Sequence, residues 1–218
     1  MSPSVHPLAP LLVAGVKLLC GAHGHWRGCE PAPRPRIYFA NHSSHLDFMV
    51  IWSALPPALR ARTRPVAAAD YWRRGPVRRY LASRVFRAVL VERAAGDRAP
   101  GDLPEAERRA RAQAVVEHTL AEMGGGSLIL FPEGTRGFAA DPGPFKSGLY
   151  FLARARPDVE LVPAYLENLG RILPKGEFLP VPLLAGVTFG APLALGTDEP
   201  RDAFLERARA AVIALREA

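Results

Sequence analysis

Two short stretches concentrate residue types that move protons and grip phosphate: Asn41-His42-Ser43-Ser44-His45-Leu46-Asp47 and Phe131-Pro132-Glu133-Gly134-Thr135-Arg136. In the first, His42-x4-Asp47 pairs an imidazole with a carboxylate. A carboxylate bonded to one ring nitrogen fixes the tautomer and leaves the other nitrogen free to accept a proton. At the start of a helix the two side chains would share a face. Asn41 or Ser43 capping that helix is a non-catalytic use of the same stretch. His45 lacks an equivalent acidic partner and is expected to pack or cap. The second stretch offers a glycine where backbone can approach a ligand, a carboxylate, and an arginine suited to bidentate phosphate contact. Lys146 follows as a second cation. A plain surface turn with an ion pair would use the same residue types. No G-x-S-x-G elbow occurs, and Ser43 and Ser44 have no separate base, so a serine acyl-enzyme is not expected.

Both stretches directly follow apolar runs of strand length, Ile37–Ala40 and Ser127–Leu130. Further runs lie at 65–69, 88–91, 161–166 and 186–189. None alternates with polar residues, the pattern of strands covered on both faces. Helical patterns separate them. Residues 104–123 place Ala112, Val115, Val116, Leu120 and Met123 on one face, and the pattern stops at Gly124-Gly125-Gly126. Residues 200–215 do the same with Phe204, Ala208, Val212 and Leu215, and 146–155 form a shorter helix. The expected fold is a single-domain α/β sandwich with a largely parallel sheet flanked by helices. Ligands then collect at the carboxyl ends of strands, where both stretches sit. Residues 137–144 and 174–182 read as surface loops near that site.

The 218 residues carry 28 Lys+Arg against 21 Asp+Glu, a net charge of +7. Residues 60–93 hold ten arginines against Asp70 and Glu92, so this segment alone is +8. Such a block attracts an anionic surface or substrate, unless it is simply a solvated face. Its aromatics (Tyr71, Trp72, Tyr80, Phe86) suit a membrane interface, and no nucleic-acid-binding signature accompanies them. Cys20, His23, His25 and Cys29 match no familiar zinc spacing and span too little chain for four tetrahedral ligands. No metal site is expected. Residues 8–20, LAPLLVAGVKLLC, are shorter than the ~20 residues of a spanning helix. Leu8, Leu12, Val16 and Leu19 recur at helical spacing, which suits a helix lying in the bilayer interface or packed on the domain. We accordingly divide the chain into an N-terminal interfacial segment, 1–28, and a main domain, 29–218.

Taken together, the two chemical stretches resemble the first and third blocks of the glycerolipid acyltransferases, the 1-acylglycerol-3-phosphate acyltransferase (lysophosphatidic acid acyltransferase) family. Their order and separation of about ninety residues fit as well. Phe86–Arg93 resembles the second block, with Arg93 as its terminal arginine, although Glu92 precedes it and the block is loose. Leu161-Val162-Pro163-Ala164 resembles the fourth. The resemblance covers about residues 35–195 and implies a glycerol-3-phosphate acyltransferase-like fold. It further implies transfer of a fatty acyl group from acyl-CoA or acyl carrier protein to the free hydroxyl of 1-acylglycerol-3-phosphate, giving phosphatidic acid for phospholipid biosynthesis.

In that reading His42 is the general base and Asp47 its orienter. Arg93, Arg136 and Lys146 hold the acceptor's phosphate, while Glu133, Gly134 and Thr135 position its glycerol portion. Val162 and Pro163 line the acyl or acceptor pocket. A backbone amide near the His42 helix stabilises the oxyanion. No cofactor is implied beyond the acyl donor as co-substrate. The expected partners are a lysophospholipid and an anionic membrane surface, with the protein peripheral or monotopic at the cytoplasmic face. Two other readings stay open. One is the same chemistry on another lysophospholipid or an acylated amino acid lipid, motivated by residues 167–176. The other is a membrane-peripheral lipid-binding protein without turnover.

Overall fold

The computed structural model describes residues 6–44, 46–92, 104–137, 141–168 and 184–216. Seven strands form the central sheet: β1 (His23–Trp26), β2 (Arg36–Ala40), β3 (Thr63–Ala68), β4 (Val89–Val91), β5 (Ser127–Leu130), β6 (Glu160–Leu166) and β7 (Gly186–Phe189). Their order is β1-β7-β6-β2-β5-β3-β4. Neighbours pair parallel except β6 with β7, so β1 and β7 run against the other five. The carboxyl ends of β2, β5 and β6 therefore share one edge of the sheet with the start of β1. Because β2 lies between β5 and β6, with Phe39 opposite Leu130 and Ala40 opposite Ala164, the chain just after β2 meets the chain just after β5.

Side-chain alternation on these strands feeds two apolar layers. Tyr38, Ala40, Ile129, Val162, Ala164 and Phe189 face one layer. It is closed by α1 (Leu8–Cys20), α2 (Asp47–Ala54) and a π-helical turn (Leu81–Val85). Ile37, Phe39, Leu128, Leu161 and Tyr165 face the other, closed by α6 (Glu105–Met123), α7 (Gly148–Ala155) and α8 (Arg201–Ala214). All five residues of β2 are buried, which explains its unbroken apolar reading. Three short helices complete the first layer's side: α3 (Pro57–Arg60), α4 (Ala69–Trp72) and α5 (Pro76–Tyr80), the last running into the π turn.

The N-terminal segment packs on the central sheet. β1 pairs with β7 inside the sheet, and Trp26 stacks on Phe189 at 4.2 Å, so no structural break falls at residue 28. This edge strand was invisible in the sequence because HGHW has no apolar run; its backbone pairs whatever its side chains are. The stripe on α1 is also shifted. Ala9, Val13, Val16 and Cys20 are buried, whereas Leu8, Leu11, Leu18 and Leu19 are exposed. Cys20 points inward and donates its thiol to the Val16 carbonyl, and burial raises its pKa. His23 Nδ1 lies 2.8 Å from the Gly21 carbonyl, and no cluster of three metal-ligating side chains occurs among the described residues. No helix among them is long and apolar enough to cross a membrane.

Two helix faces are refined too. On α6 the buried stripe is Val116, Thr119 and Met123, with Ala112 exposed one turn further out. Residues 69–85 turn out helical without a legible period, since only Ala69, Ala82 and Val85 are buried there.

Candidate active site

The two chemical stretches meet at the carboxyl edge of the sheet. Asp47 is the first residue of α2 and fully buried. His42 lies before the helix, in the loop that curls around this carboxylate, so the pair does not share a helix face as the spacing suggested. His42 Nδ1 lies 2.7 Å from Asp47 Oδ2, and the same oxygen accepts the Ser43 and Ser44 amides at 2.6 and 2.9 Å. Two backbone amides already donate to Oδ2, which marks it as an acceptor, so the tautomer that fits this contact carries its hydrogen on Nδ1 and leaves Nε2 as the basic nitrogen. An acidic residue in the first helical turn also suits the helix dipole. Asp47 Oδ1 is buried with no hydrogen-bond partner among the described residues. The His42 side chain stays 22% accessible, enough for a substrate to reach Nε2.

Residues 131–137 wrap the same histidine. Phe131 stacks on its ring, centroids 4.4 Å apart and planes at 19°. The His42 amide donates to Glu133 Oε1 at 2.7 Å, and its carbonyl accepts the Gly137 amide at 2.8 Å. Glu133 Oε2 takes the Gly143 amide at 2.8 Å. Asn41, which sequence reasoning had offered only as a cap, extends the β2–β6 ladder by one rung. Its side-chain amide donates to the Leu166 carbonyl at 3.1 Å and accepts the Leu166 amide at 2.8 Å.

Gly134 has φ +70°, and a Cβ there would lie 2.7 Å from Lys146 Nζ. The positive φ favours glycine at this position, and a Cβ would also displace the flexible end of Lys146. The Lys146 ammonium thus lies over the 133–136 turn, with its own amide tied to the Pro132 carbonyl at 2.8 Å. Neither Lys146 Nζ nor the Arg136 guanidinium has an ion-pair or hydrogen-bond partner among the described residues. Two cations with no partner among the described residues therefore sit at the same turn whose backbone and Glu133 carboxylate bond His42. That set fits an anionic substrate that presents a hydroxyl.

The family profile described as Acyltransferase matches residues 25–167. The chain belongs to the Acyltransferase family. Among solved structures it is similar to the 1-acyl-sn-glycerophosphate (LPA) acyltransferase, PlsC, from Thermotoga maritima, at 18% identity and TM-score 0.67. That match covers 96% of this chain and 77% of the other. A search of curated proteins found no relative. The single α/β sandwich expected from the apolar runs is the fold observed.

The other expected site residues differ in exposure. Thr135 is exposed beside Gly134. Val162 is fully buried in the first apolar layer, and Pro163 is buried with its carbonyl held by the Gly190 amide at 2.8 Å. Both sit mid-strand in a sheet covered on two faces. The amides of His42, Ser43, Ser44 and Leu46 bond Glu133, Asp47 and Ser44, so none of them points at substrate. Among the described residues of that loop, these four amides are therefore already engaged within the protein. Arg93, His45 and residues 169–176 lie outside the described residues.

Proposed function

We propose that the protein is an O-acyltransferase that moves a fatty acyl group from a thioester, acyl-CoA or acyl carrier protein, to the free hydroxyl of 1-acylglycerol-3-phosphate, forming phosphatidic acid. The observation that carries this reading is the Asp47–His42 pair with Nε2 free, and with Arg136 and Lys146, unpartnered among the described residues, at the turn that bonds His42. His42 Nε2 takes the proton of the acceptor hydroxyl as that oxygen attacks the thioester carbonyl. Asp47 stabilises the imidazolium that forms, and the proton then passes to the departing thiolate. General-base assistance of this kind supplies ~10²–10⁴-fold. Arg136 and Lys146 hold the acceptor's phosphate, and the cationic side of the turn is the natural place for oxyanion stabilisation, since the amides of His42, Ser43, Ser44 and Leu46 are engaged. The transfer as written consumes no cofactor and no metal.

The proposed setting is the surface of an anionic membrane, at the cytoplasmic face where the thioester donors are. Leu11 and Leu18 on α1 are 69% and 90% exposed, and Val77 on α5 is 69% exposed. Tyr80 bonds His6 at 3.1 Å and so joins α5 to the start of α1. Exposed Arg73, Arg74, Arg78 and Arg79 surround Val77. Apolar side chains rimmed by arginine suit the headgroup region.

The test is thiol release from palmitoyl-CoA by wild type and His42→Ala, each with and without lysophosphatidic acid. Release that needs both His42 and the acceptor supports the reading. Release indifferent to lysophosphatidic acid points to thioester hydrolysis or another acceptor, and a folded His42→Ala with wild-type transfer removes the base.

A further inference from the structure

Glu133 lies in the cationic turn, where the family resemblance makes it a substrate ligand, yet it is buried and each of its carboxylate oxygens already accepts a backbone amide. It is 7% exposed, with one backbone amide on each oxygen, His42 at 2.7 Å and Gly143 at 2.8 Å. Residues 131–137 thus restrain the histidine at three points: its amide through Glu133, its carbonyl through Gly137, its ring through Phe131. The far side of the clamp is itself anchored. Arg209 Nε on α8 donates to the Pro142 carbonyl at 2.8 Å, and Arg216 just beyond α8 pairs with Asp141. A continuous line of polar contacts therefore runs from α8 through 141–143 to Glu133 and on to the backbone of His42. The α8 end of that line lies outside the 25–167 family match.

We infer that Glu133 is a positioning residue for the base rather than a ligand of the acceptor, and that α8 is the outer anchor of the same clamp. This rests on His42 being the base. Proton transfer needs Nε2 within hydrogen-bond reach of the acceptor hydroxyl, and a displacement of about 1 Å costs ~10²-fold in rate. A glutamine at 133 offers one acceptor oxygen for two amide donors, so one amide must face an NH2 group and the His42 backbone shifts. Glu133 and the two α8-side arginines make their contacts to backbone and to Asp141 rather than to the acceptor, so their loss falls on kcat and leaves KM unchanged.

The experiment compares Glu133→Gln and the double variant Arg209→Met/Arg216→Met with wild type. It reads kcat and KM for lysophosphatidic acid with palmitoyl-CoA, and the low-field proton resonance of the His42 Nδ1–H···Asp47 bond without substrate. Glu133→Gln is expected to lower kcat by ~10–100-fold with KM unchanged within about twofold, and to move or broaden that resonance. The α8 variant is expected to lower kcat several-fold in the same pattern. A KM rise of about tenfold or more with kcat and the resonance intact would make Glu133 a substrate ligand and overturn the inference. If Glu133→Gln does not fold, the α8 variant decides: a wild-type kcat and resonance there removes the anchor. The resonance needs no acceptor, so a wild type silent toward lysophosphatidic acid fails the acceptor assignment alone. An active His42→Ala fails the base itself.

Discussion

Ten arginines between residues 60 and 93 and two cations at 136 and 146 form the two basic regions of this protein, and the sparser one fits an anionic substrate better. In the dense block, arginines are largely spent on the protein itself. Arg60 donates to the carbonyls of Trp52, Ser53 and Leu55, which closes the C-terminal end of α2. Arg62 bonds the Gly125 carbonyl at 2.9 Å, and Arg64 is shared between Glu122 and the Arg87 carbonyl. Arg78 lies over the Tyr71 ring at 4.4 Å. At the site, by contrast, Arg136 and Lys146 have no partner among the described residues. A guanidinium already saturated by carbonyls has little left for a ligand, so local charge density says less than the hydrogen-bond count of each cation.

The largest expected effect tests the sparse region. Arg136→Ala should raise KM for lysophosphatidic acid by ~10–100-fold, the loss of a charge-assisted contact of about 1.5–3 kcal/mol, with little change in melting temperature. Steady-state kinetics and a melt on the same preparation check it, and an unchanged KM takes Arg136 out of the phosphate site. Next is Arg60→Ala, which strands three carbonyls at the end of α2. It should cost ~1–3 kcal/mol of stability in urea titration and leave KM as it was. A KM shift without loss of stability would erase the contrast between the two regions.

A smaller effect probes the exposed part of the block. Arg79→Ala should weaken sedimentation with phosphatidylglycerol-containing vesicles about fivefold at low salt, near 1 kcal/mol for one basic residue at the surface. The difference should vanish at high salt; binding equal to wild type at all salt concentrations would leave Arg79 as a solvated residue.

The smallest concerns an arginine paired with a carboxylate. The Arg207 side chain, helped by the Gly196 amide, holds the Glu199 carboxyl at a pKa of about 2, against an ordinary value of 4.5. A lowered folded-state pKa adds stability that is present above the unfolded value and lost as pH falls through the folded one. Wild type should therefore lose this contribution between about pH 4.5 and pH 2, whereas Arg207→Met should lack that part of the slope. Melts across the window compare the two, and parallel curves would show the pair to be idle.

Much of the positioning framework was readable from apolar runs alone. β2, β5 and β6 are covered on both faces, so their sequences are continuous apolar blocks, and the segments after them were the places to look for chemistry. β1 was unreadable because an edge strand needs only backbone pairing, and α4, α5 and the π turn because few of their side chains are buried. At the site, the His42–Asp47 pair and the unpaired cations were legible from residue type and spacing. The role of Glu133 was not. A carboxylate beside a glycine and an arginine has the same sequence signature whether it faces a ligand or two backbone amides. The burial of Val162 and Pro163 was not legible for a related reason, since a motif's position in the chain does not say how its strand is covered.

The sequence by itself determined which groups exist to take a proton and to meet a phosphate, and that both follow buried strands, because hydrophobic burial writes a periodic signal along the chain. Only the tertiary structure decided what each group is free to do. Pairing of β2 with β5 joins segments ninety residues apart, turns the amides of His42, Ser43 and Ser44 inward and commits Glu133 to the backbone of His42. Hydrogen-bond saturation is a property of neighbours in space, and each donor or acceptor has only a fixed number of partners to give.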